Sequence, residues 1–210
     1  MKVLLINGSP KARGCTYTAL CEIAKELEKE KIEAEIFHIG NKPIIGCTAC
    51  NNCFKTKSGK GKCVFDDDTV NVALEKAKEA DGFIFGSPVH YASASGLITS
   101  FLDRFFYAGD CFQYKPGAAI VSCRRGGATA AFEQLNKYFT ISNMPVVSSQ
   151  YWNMVHGNTP EEVKQDLEGM QTMRTLGKNM AWLLKCIQAG KKAGILLPEK
   201  EAMAITNFIR

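Results

Sequence analysis

Four of the nine cysteines in this 210-residue sequence lie in one short segment, and cysteine thiolates are strong ligands for soft metals. They are Cys47, Cys50, Cys53 and Cys63, with the spacing C-x2-C-x2-C-x9-C. The first three cannot all lie on one helix face, which favours a compact loop around a polynuclear iron–sulfur cluster. Zinc sites more often show two separated C-x2-C pairs. A cluster, a zinc ion and a set of reduced thiols are therefore three alternatives.

The nine residues between the last two of these cysteines form a lysine-rich loop. Its cations are Lys55, Lys57, Lys60 and Lys62. Nearby positive charge favours thiolate over thiol, and it partly offsets the negative charge of a thiolate-ligated cluster. The charges therefore agree with a metal-binding role for the segment.

The composition restricts the classes of function that the rest of the chain can have. The net charge is +5, from 26 basic and 21 acidic residues, and the surplus is scattered, so we expect no nucleic-acid partner. No apolar run approaches the ~18 residues of a membrane span. The first apolar run, residues 3–6, is too short for the core of a signal peptide. We therefore expect a cytoplasmic protein, in which thiols stay reduced.

Short apolar runs alternate with amphipathic segments along the chain. The runs predict strands over 2–8, 33–40, 82–91, 117–123 and 144–152. Helices are predicted over 18–31 and 68–81, from an N-cap at Ser95, and after a Gly-rich turn at 124–127. A last long helix is predicted to begin with Thr159 as cap, Pro160 in the first turn and Glu162 completing a capping box, and to reach about Cys186.

Strict alternation of apolar strands and helices predicts an α/β fold with a parallel sheet covered on both faces. Five strands fit the doubly wound order 2-1-3-4-5. In such sheets, ligands bind outside the carboxyl ends of the strands. The loops that follow the strands therefore hold the candidate site, and the cysteine segment, which follows strand 2, lies on the same side.

The loop after strand 1, residues 8–16, suits a phosphate group. It offers hydroxyls on Ser9 and Thr16, cations on Lys11 and Arg13, and a helix N-terminus. A P-loop and a dinucleotide-binding G-x-G-x-x-G are excluded by the glycine spacing. The alternative is a tight polar turn that binds nothing. Cys15 begins the helix among cations, which predicts a stabilised thiolate.

The loops after strands 3 and 4 suit a planar ring with polar edges. Pro88 and Tyr91 offer flat surface, and the backbone of residues 89–92 offers N–H groups. Gly126 and Gly127 allow backbone to approach the same ring. A phosphate cradle, a ring shelf and a glycine pair on adjacent strands together predict a mononucleotide site for a large ring.

Three segments, "GSPKARGCT", "GSPVHYASASGLITSFLDR" and "SCRRGGA", resemble the flavin loops of the NADPH-dependent FMN reductase family, which has the flavodoxin-like fold. The resemblance covers residues 1–152 and implies FMN as cofactor. Where the family has Gly-Asn-Thr, this sequence has Gly14-Cys15-Thr16. The side-chain contact of the asparagine with the phosphate is lost, and the backbone N–H remains. The implied phosphate contacts are Ser9, Lys11, Arg13, Cys15 and Thr16. The implied ring contacts are Pro88, Val89, His90 and Tyr91, with Ser122, Arg124, Gly126 and Gly127 at the pyrimidine edge.

The cysteine segment adds a resemblance to the iron–sulfur flavoprotein branch of that family. That branch carries a compact cysteine motif in this region and binds a 4Fe-4S cluster near FMN, with a last spacing shorter than the one here. The resemblance implies that Cys47, Cys50, Cys53 and Cys63 are the cluster ligands. Relatives without a cluster keep similar cysteines, so empty thiols and zinc stay open.

The activity that the resemblance implies is electron transfer from NAD(P)H through FMN to a quinone, an azo or nitro compound, or a protein acceptor. Hydride transfer to the flavin needs no general acid, so no catalytic side chain is predicted. The alternative is an iron–sulfur flavoprotein or flavodoxin-like carrier that takes electrons from ferredoxin without substrate turnover of its own. A zinc-held or redox-sensing module is a third possibility.

The organisation predicted for the chain is a single flavodoxin-like domain over 1–210, with a cysteine-rich insertion at 46–66 and a C-terminal extension at about 188–210. The long last helix and the apolar tail predict a homodimer or homotetramer. Trp152, Asn153 and His156 leave strand 5 on the same face, which predicts contact with the flavin of the same or a neighbouring subunit; the alternative is a packed tryptophan and a surface histidine.

Overall fold

A computed structural model describes residues 1–55, 61–202 and 204–207. The strands are β1 (Lys2–Asn7), β2 (Glu33–His38), β3 (Gly82–His90), β4 (Ser93–Ala94), β5 (Gly117–Cys123) and β6 (Met154–His156). The helices are α1 (Cys15–Lys29), α2 (Val70–Glu79), α3 (Gly96–Ala108), α4 (Ala128–Ile141), α5 (Pro160–Gln165) and α6 (Leu167–Lys192), with a short 3-10 helix at Asn52–Phe54.

The strands form a parallel sheet in the order β2-β1-β3-β5-β6, and the two-residue β4 pairs antiparallel with the end of β3. Without β4, which the sequence did not predict, this is the predicted doubly wound order. Every β-α-β connection therefore delivers its loop to the carboxyl edge of the sheet, where the candidate loops meet.

The sheet is buried between two helical layers. On one face, α2, α3 and α4 cover a core of phenylalanines, where the Phe85 and Phe105 ring centroids lie 5.9 Å apart in an edge-to-face contact. On the other face, α1 and α6 pack together over Ile84 and Ile120. Full burial of each such side chain stabilises the fold by ~1.5–3 kcal/mol, which holds the strand ends in fixed positions.

The fifth strand differs from the prediction over 144–152. The chain makes an isolated bridge between Val146 and Gly117, leaves the sheet, and pairs again only at Met154–His156. Asn153 closes the gap, since its Nδ2 donates to Ala119 O (3.0 Å) and its carbonyl accepts from Val121 N–H (2.9 Å). An asparagine side chain thus replaces part of the β ladder, so the strand lies later in the sequence than its apolar run.

The predicted long last helix is two helices that meet at Asp166. Thr159 caps the first as predicted, accepting from Glu162 N–H at 3.2 Å, while Glu162 accepts from Asn158 N–H at 2.6 Å. Asp166 then ends α5 and caps α6, accepting from Gly169 N–H at 2.9 Å. The second helix runs on to Lys192, past the predicted end. No helix in the described part of the chain is long and apolar enough to span a membrane.

Candidate functional site

The loop between β1 and α1 is braced by three polar side chains. Buried Asn7 donates from Nδ2 to Ala12 O (3.1 Å) and accepts from Ser9 N–H at Oδ1 (3.1 Å). The Ser9 hydroxyl accepts from Lys11 N–H at 3.1 Å, and His38 Nε2 lies 2.8 Å from Ser9 O. The loop therefore keeps its shape through its own hydrogen bonds, which prepares it for a ligand.

The first turn of α1 opens toward this loop. Its N-cap is Gly14, and no side chain within the described residues caps the turn. The leading N–H groups are thus available to an anion, which the positive end of the helix dipole favours. Gly8 lets the loop lie close to the sheet, since a Cβ there would stand 2.7 Å from Gly86 O.

Thr16 and Ser122 join two loops of the site. The two hydroxyls are buried and 2.8 Å apart, so one donates to the other. The sequence assigned Thr16 to a phosphate and Ser122 to the edge of a ring, on separate loops. Their contact makes the first turn of α1 and the end of β5 one rigid unit.

The second loop is a tight hairpin between β3 and β4. Tyr91 (φ 48°) and Ala92 (φ 57°) form its turn in the left-handed region, which is uncommon for residues with a side chain. Gly127 (φ 91°) packs against the turn, because a Cβ there would stand 2.5 Å from the Ala92 Cα atom. The hairpin is also held by Gln134 of α4, whose Oε1 accepts from Ala94 N–H at 3.0 Å.

The loops after β1, β3, β5 and β6 enclose one cleft of about 200 Å³, which we call the flavin cleft. Its lining residues are Ser9, Pro10, Lys11, Cys15, Thr16, Pro88, Val89, His90, Ser122, Cys123, Arg124, Gly157 and Asn158. Nine of these were predicted from the sequence.

Four predicted site residues lie outside the lining. Arg13, Gly126 and the side chain of Tyr91 are exposed, and Gly127 contributes by supporting the hairpin. The sequence missed four lining residues: Pro10, Cys123, and Gly157 and Asn158, the last two of which enter the cleft from the end of β6. A Gly-Asn pair at a strand end is the signal that marks these last two, but the strand itself was placed too early.

Both thiols in the flavin cleft are protonated. Burial raises the pKa of Cys15 above its ordinary value, and this outweighs the opposing effects of its own backbone N–H and of Lys11. Cys15 Sγ donates to Gly157 O at 3.7 Å. Burial likewise raises the pKa of Cys123. The predicted Cys15 thiolate is therefore wrong, because desolvation dominates over the nearby cations.

The residues just before and within β6 do not line the flavin cleft. Trp152 and His156 line a separate cleft of about 310 Å³, between α4 and the start of α6. Asn153 is buried and fixed to β5, as described above. These three residues thus lie outside the flavin cleft of their own chain, and contact with the flavin of a neighbouring subunit stays a prediction.

The four clustered cysteines line one small cavity of about 20 Å³, which we call the cysteine cavity. Cys47 and Cys50 are exposed, Cys63 is half-buried and Cys53 is buried. The backbone N–H of Asn52 lowers the pKa of the Cys50 thiol. Lys57 and Lys60 of the predicted lysine-rich loop lie outside the described residues.

Arg104 of α3 forms the inner wall of the cysteine cavity and is 1 % exposed. Its Nε donates to Cys63 Sγ at 3.2 Å, and its Nη2 donates to Phe65 O at 2.7 Å. Its Nη1 contacts Ile45 O (3.2 Å) and the Asp68 carboxylate. Desolvation by burial lowers the pKa of Arg104, but its interactions with Asp68 and Cys63 together raise this pKa above its ordinary value. The sequence pointed to this arginine only as the last residue of the segment "GSPVHYASASGLITSFLDR", which resembles a flavin loop.

Cys63 is also fixed through its backbone. Its N–H donates to Asn71 Oδ1 (2.8 Å), and Asn71 Nδ2 donates back to Cys63 O (3.0 Å). Among the described residues, no three His, Cys, Asp or Glu side chains converge as a preformed metal site. A metal group would therefore require the exposed Cys47 and Cys50 to close onto the fixed Cys63.

Both places offer the kinds of donor that the suggested groups need, although the cysteine cavity would hold a metal group only after Cys47 and Cys50 move. The flavin cleft combines a helix N-terminus without a side-chain cap among the described residues with a rigid hairpin, which suits a phosphate and a ring. The cysteine cavity offers four sulfur donors beside a buried cation, and sulfur ligation is what iron–sulfur clusters use.

The family model for NADPH-dependent FMN reductases matches residues 1–159. The chain belongs to this family. An iron–sulfur flavoprotein of Methanocaldococcus jannaschii is 34 % identical over 197 residues, which is 90 % of this chain and 100 % of the relative. The predicted family is thus confirmed, and it is one of FMN-dependent oxidoreductases.

Solved structures share the fold at low identity. The crystal structure of RosB with the bound intermediate 8-demethyl-8-formylriboflavin-5'-phosphate superposes with a TM-score of 0.67 at 16 % identity, covering 100 % of this chain and 92 % of that chain. A flavodoxin from the domain Archaea gives 0.57 at 17 % identity, covering 88 % and 99 %. The predicted flavodoxin-like fold is therefore confirmed.

Proposed function

We propose that this chain is an iron–sulfur flavoprotein, which binds FMN in the flavin cleft and a 4Fe-4S cluster in the cysteine cavity, and takes electrons from a ferredoxin-type protein. The observation that carries the proposal is that all four clustered cysteines line one cavity. The similarity to iron–sulfur flavoproteins over the whole length of a relative supports it.

The flavin cleft would hold FMN through groups already described. The N–H groups of the α1 first turn, with Ser9 and Lys11, suit the phosphate. Pro88, Val89 and His90 suit the face of the ring, and Ser122 and Arg124 its polar edge. Bound FMN exchanges one or two electrons, whereas an iron–sulfur cluster exchanges one.

The cysteine cavity would hold the cluster through Cys47, Cys50, Cys53 and Cys63. The chain's own contribution is a fixed fourth ligand and a compact loop for the other three. Because thiolates bind soft metals strongly, iron–sulfur ligation and zinc ligation compete for such a set. Metal analysis of anaerobically isolated protein distinguishes the two, since stoichiometric zinc without iron would overturn the cluster.

The test of electron entry uses the FMN-loaded, anaerobically reconstituted protein. Reduced ferredoxin is mixed with it, and flavin bleaching is followed in a stopped-flow instrument. We expect bleaching in the wild type and a much slower reaction in Cys63→Ser, with FMN content unchanged. Equal rates in the two proteins would contradict electron entry through the cysteine cavity.

A second candidate is an NAD(P)H-dependent reductase that passes electrons from FMN to a quinone, an azo or nitro compound, or a protein acceptor. The open side of the cleft favours it, because His90, Tyr91 and Ala92 are exposed beside the ring-binding loop and leave room for a nicotinamide. Anaerobic bleaching of the flavin by NADPH or NADH, at a rate unaffected by Cys63→Ser, would support this candidate over the first.

We also infer a homodimer or homotetramer that works in the cytoplasm. Trp182 is 68 % exposed on α6, and Leu196, in the tail, is 87 % exposed, which is unusual for large apolar residues in a monomer. Light scattering on the purified protein measures the assembly, and a monomer at micromolar concentration would contradict this inference.

A further inference from the structure

Arg104 is one of the side chains that link the body of the fold to the cysteine segment, with Tyr107 and Asn71. Its guanidinium is fully buried, and burying an unpaired charge is prohibitively costly, so its donors must all be matched. Every acceptor that it contacts, from Ile45 to Asp68, lies in or beside the segment that carries the four cysteines. One arginine on a packed helix thus anchors both ends of this segment.

One of these acceptors is a sulfur atom. The Nε–H of Arg104 points at Cys63 Sγ, 3.2 Å away, although backbone carbonyls are better acceptors for a buried guanidinium. Asn71 fixes the backbone of the same cysteine through two hydrogen bonds. Cys63 is therefore oriented in both its backbone and its side chain, whereas Cys47 and Cys50 are exposed.

This asymmetry explains the long last spacing in the cysteine pattern. The first three cysteines are close in sequence, and Tyr107 of α3 steadies their loop by donating to Asn51 Oδ1 at 2.8 Å. Cys63 follows after nine intervening residues, so the loop alone leaves its position free, and closing a longer loop costs conformational entropy. An anchor outside the loop, on α3, removes that freedom before a metal group arrives.

We propose that Arg104 is a positioning residue for the iron–sulfur cluster, which holds the sulfur of Cys63 as a preorganised ligand and, by hydrogen-bonding it, raises the reduction potential of the cluster. Hydrogen bonds to ligand sulfurs are one of the means by which proteins set cluster potentials. This inference rests on the proposed function, since it presumes that the cysteine cavity holds a cluster.

The test compares Arg104→Lys with Arg174→Lys. Lysine keeps the charge opposite Asp68 but loses the fork that reaches Cys63. Arg174 lies on α6, on the opposite face of the sheet, and pairs with Glu22 at 2.8 Å, so its replacement is a matched change away from the cavity. Each protein is reconstituted anaerobically with ferrous iron and sulfide, and its iron content, iron affinity, FMN content and cluster midpoint potential are measured.

We expect Arg104→Lys to keep its FMN, to bind iron about tenfold more weakly, and to show a lower midpoint potential, while Arg174→Lys matches the wild type. A purely structural arginine would change stability but not the potential. Wild-type iron affinity and potential in Arg104→Lys would overturn the inference. Failure of the wild type itself to take up iron would instead overturn the proposed cluster.

A second variant covers the case in which Arg104→Lys does not fold. Arg104→Met combined with Asp68→Asn removes both buried charges together, a change that proteins often tolerate. The asparagine keeps a side-chain oxygen that accepts from the N–H of Val70. In this variant Cys63 Sγ loses the N–H donor of Arg104, and no unpaired buried charge is left beside it. We expect the same tenfold loss of iron affinity, and an affinity equal to the wild type would overturn the inference.

Discussion

Thr16 Oγ1 and Ser122 Oγ lie 2.8 Å apart in the buried floor of the flavin cleft and join the first turn of α1 to the end of β5. One hydroxyl proton is used within the pair, so the pair has one donor left to offer to a ligand. The loop suited to a phosphate and the loop suited to a ring are thus held in a fixed relation before FMN binds.

Replacing Thr16 by valine tests this link. The change leaves the buried Ser122 hydroxyl without its partner, which costs ~1–3 kcal/mol, and it frees the two loops from one another. We expect the FMN dissociation constant to rise about tenfold, which corresponds to ~1.4 kcal/mol, as measured by quenching of flavin fluorescence. The matched control is Thr99→Val in the first turn of α3, where the hydroxyl contacts only Gly96 O among the described residues (3.1 Å). Equal effects of the two changes would contradict a special role for the pair.

The two neighbouring glycines of the third loop make a sharp pair of stability variants. Alanine at Gly127 meets Ala92 at 2.5 Å and must adopt a φ of 91°, whereas no described atom lies within 4 Å of a Cβ at Gly126. The left-handed conformation alone costs ~1–2 kcal/mol for a residue with a side chain. Chemical denaturation of the apoprotein should show a loss of at least this size for Gly127→Ala and less than about 0.5 kcal/mol for Gly126→Ala. Similar losses would mean that the hairpin does not depend on this contact.

Cysteine variants separate the metal ligands from the other thiols. Serine at Cys63 removes one ligand from the cysteine cavity, so we expect most of the iron to be lost after anaerobic reconstitution, with FMN retained. Serine at Cys186, which is exposed on α6, should leave iron and FMN unchanged. Iron and acid-labile sulfide assays on both proteins decide the matter, and an unaffected iron content in Cys63→Ser would remove this residue from the ligand set.

The reactivity of Cys15 tests the electrostatics of the flavin cleft. Because burial raises the pKa of Cys15 above its ordinary value of 9.0, the thiol stays protonated at pH 8 and becomes thiolate only at higher pH in the folded state than in the unfolded chain. Alkylation by iodoacetamide, followed by mass spectrometry from pH 7 to 10.5, should therefore be slower for Cys15 in the native apoprotein than in urea. Faster alkylation of the native protein at pH 7 would reveal a stabilised thiolate after all.

The strand order and the location of the site were predictable because they follow from pattern. Alternating apolar runs and amphipathic helices fix a parallel sheet, and a parallel sheet places Ser9, Pro88 and Ser122 at one edge. The fifth strand was misplaced because apolar residues such as Val146 and Val147 imitate a strand. The ladder there is completed instead by the side chain of Asn153, which no periodicity reveals.

Two features of the site depend on contacts distant in sequence. Tyr91 and Ala92 form a left-handed turn although neither is a favoured turn residue, because the flanking strands and Gly127 support it. Arg104 reads as a charge in an amphipathic helix, yet it is buried by the cysteine segment, which lies about forty residues earlier in the chain. Only the folded arrangement shows what these residues contact.

The central claim is that one chain holds both FMN and an iron–sulfur cluster. The most direct measurement is a visible spectrum of protein purified without oxygen, with FMN, iron and acid-labile sulfide assayed on the same sample. The account predicts flavin bands with a broad underlying iron–sulfur absorption, about one FMN, and about four irons with matching sulfide per chain. Flavin without iron, after anaerobic reconstitution as well, would contradict the cluster, and a colourless protein that does not take up FMN would contradict the account as a whole.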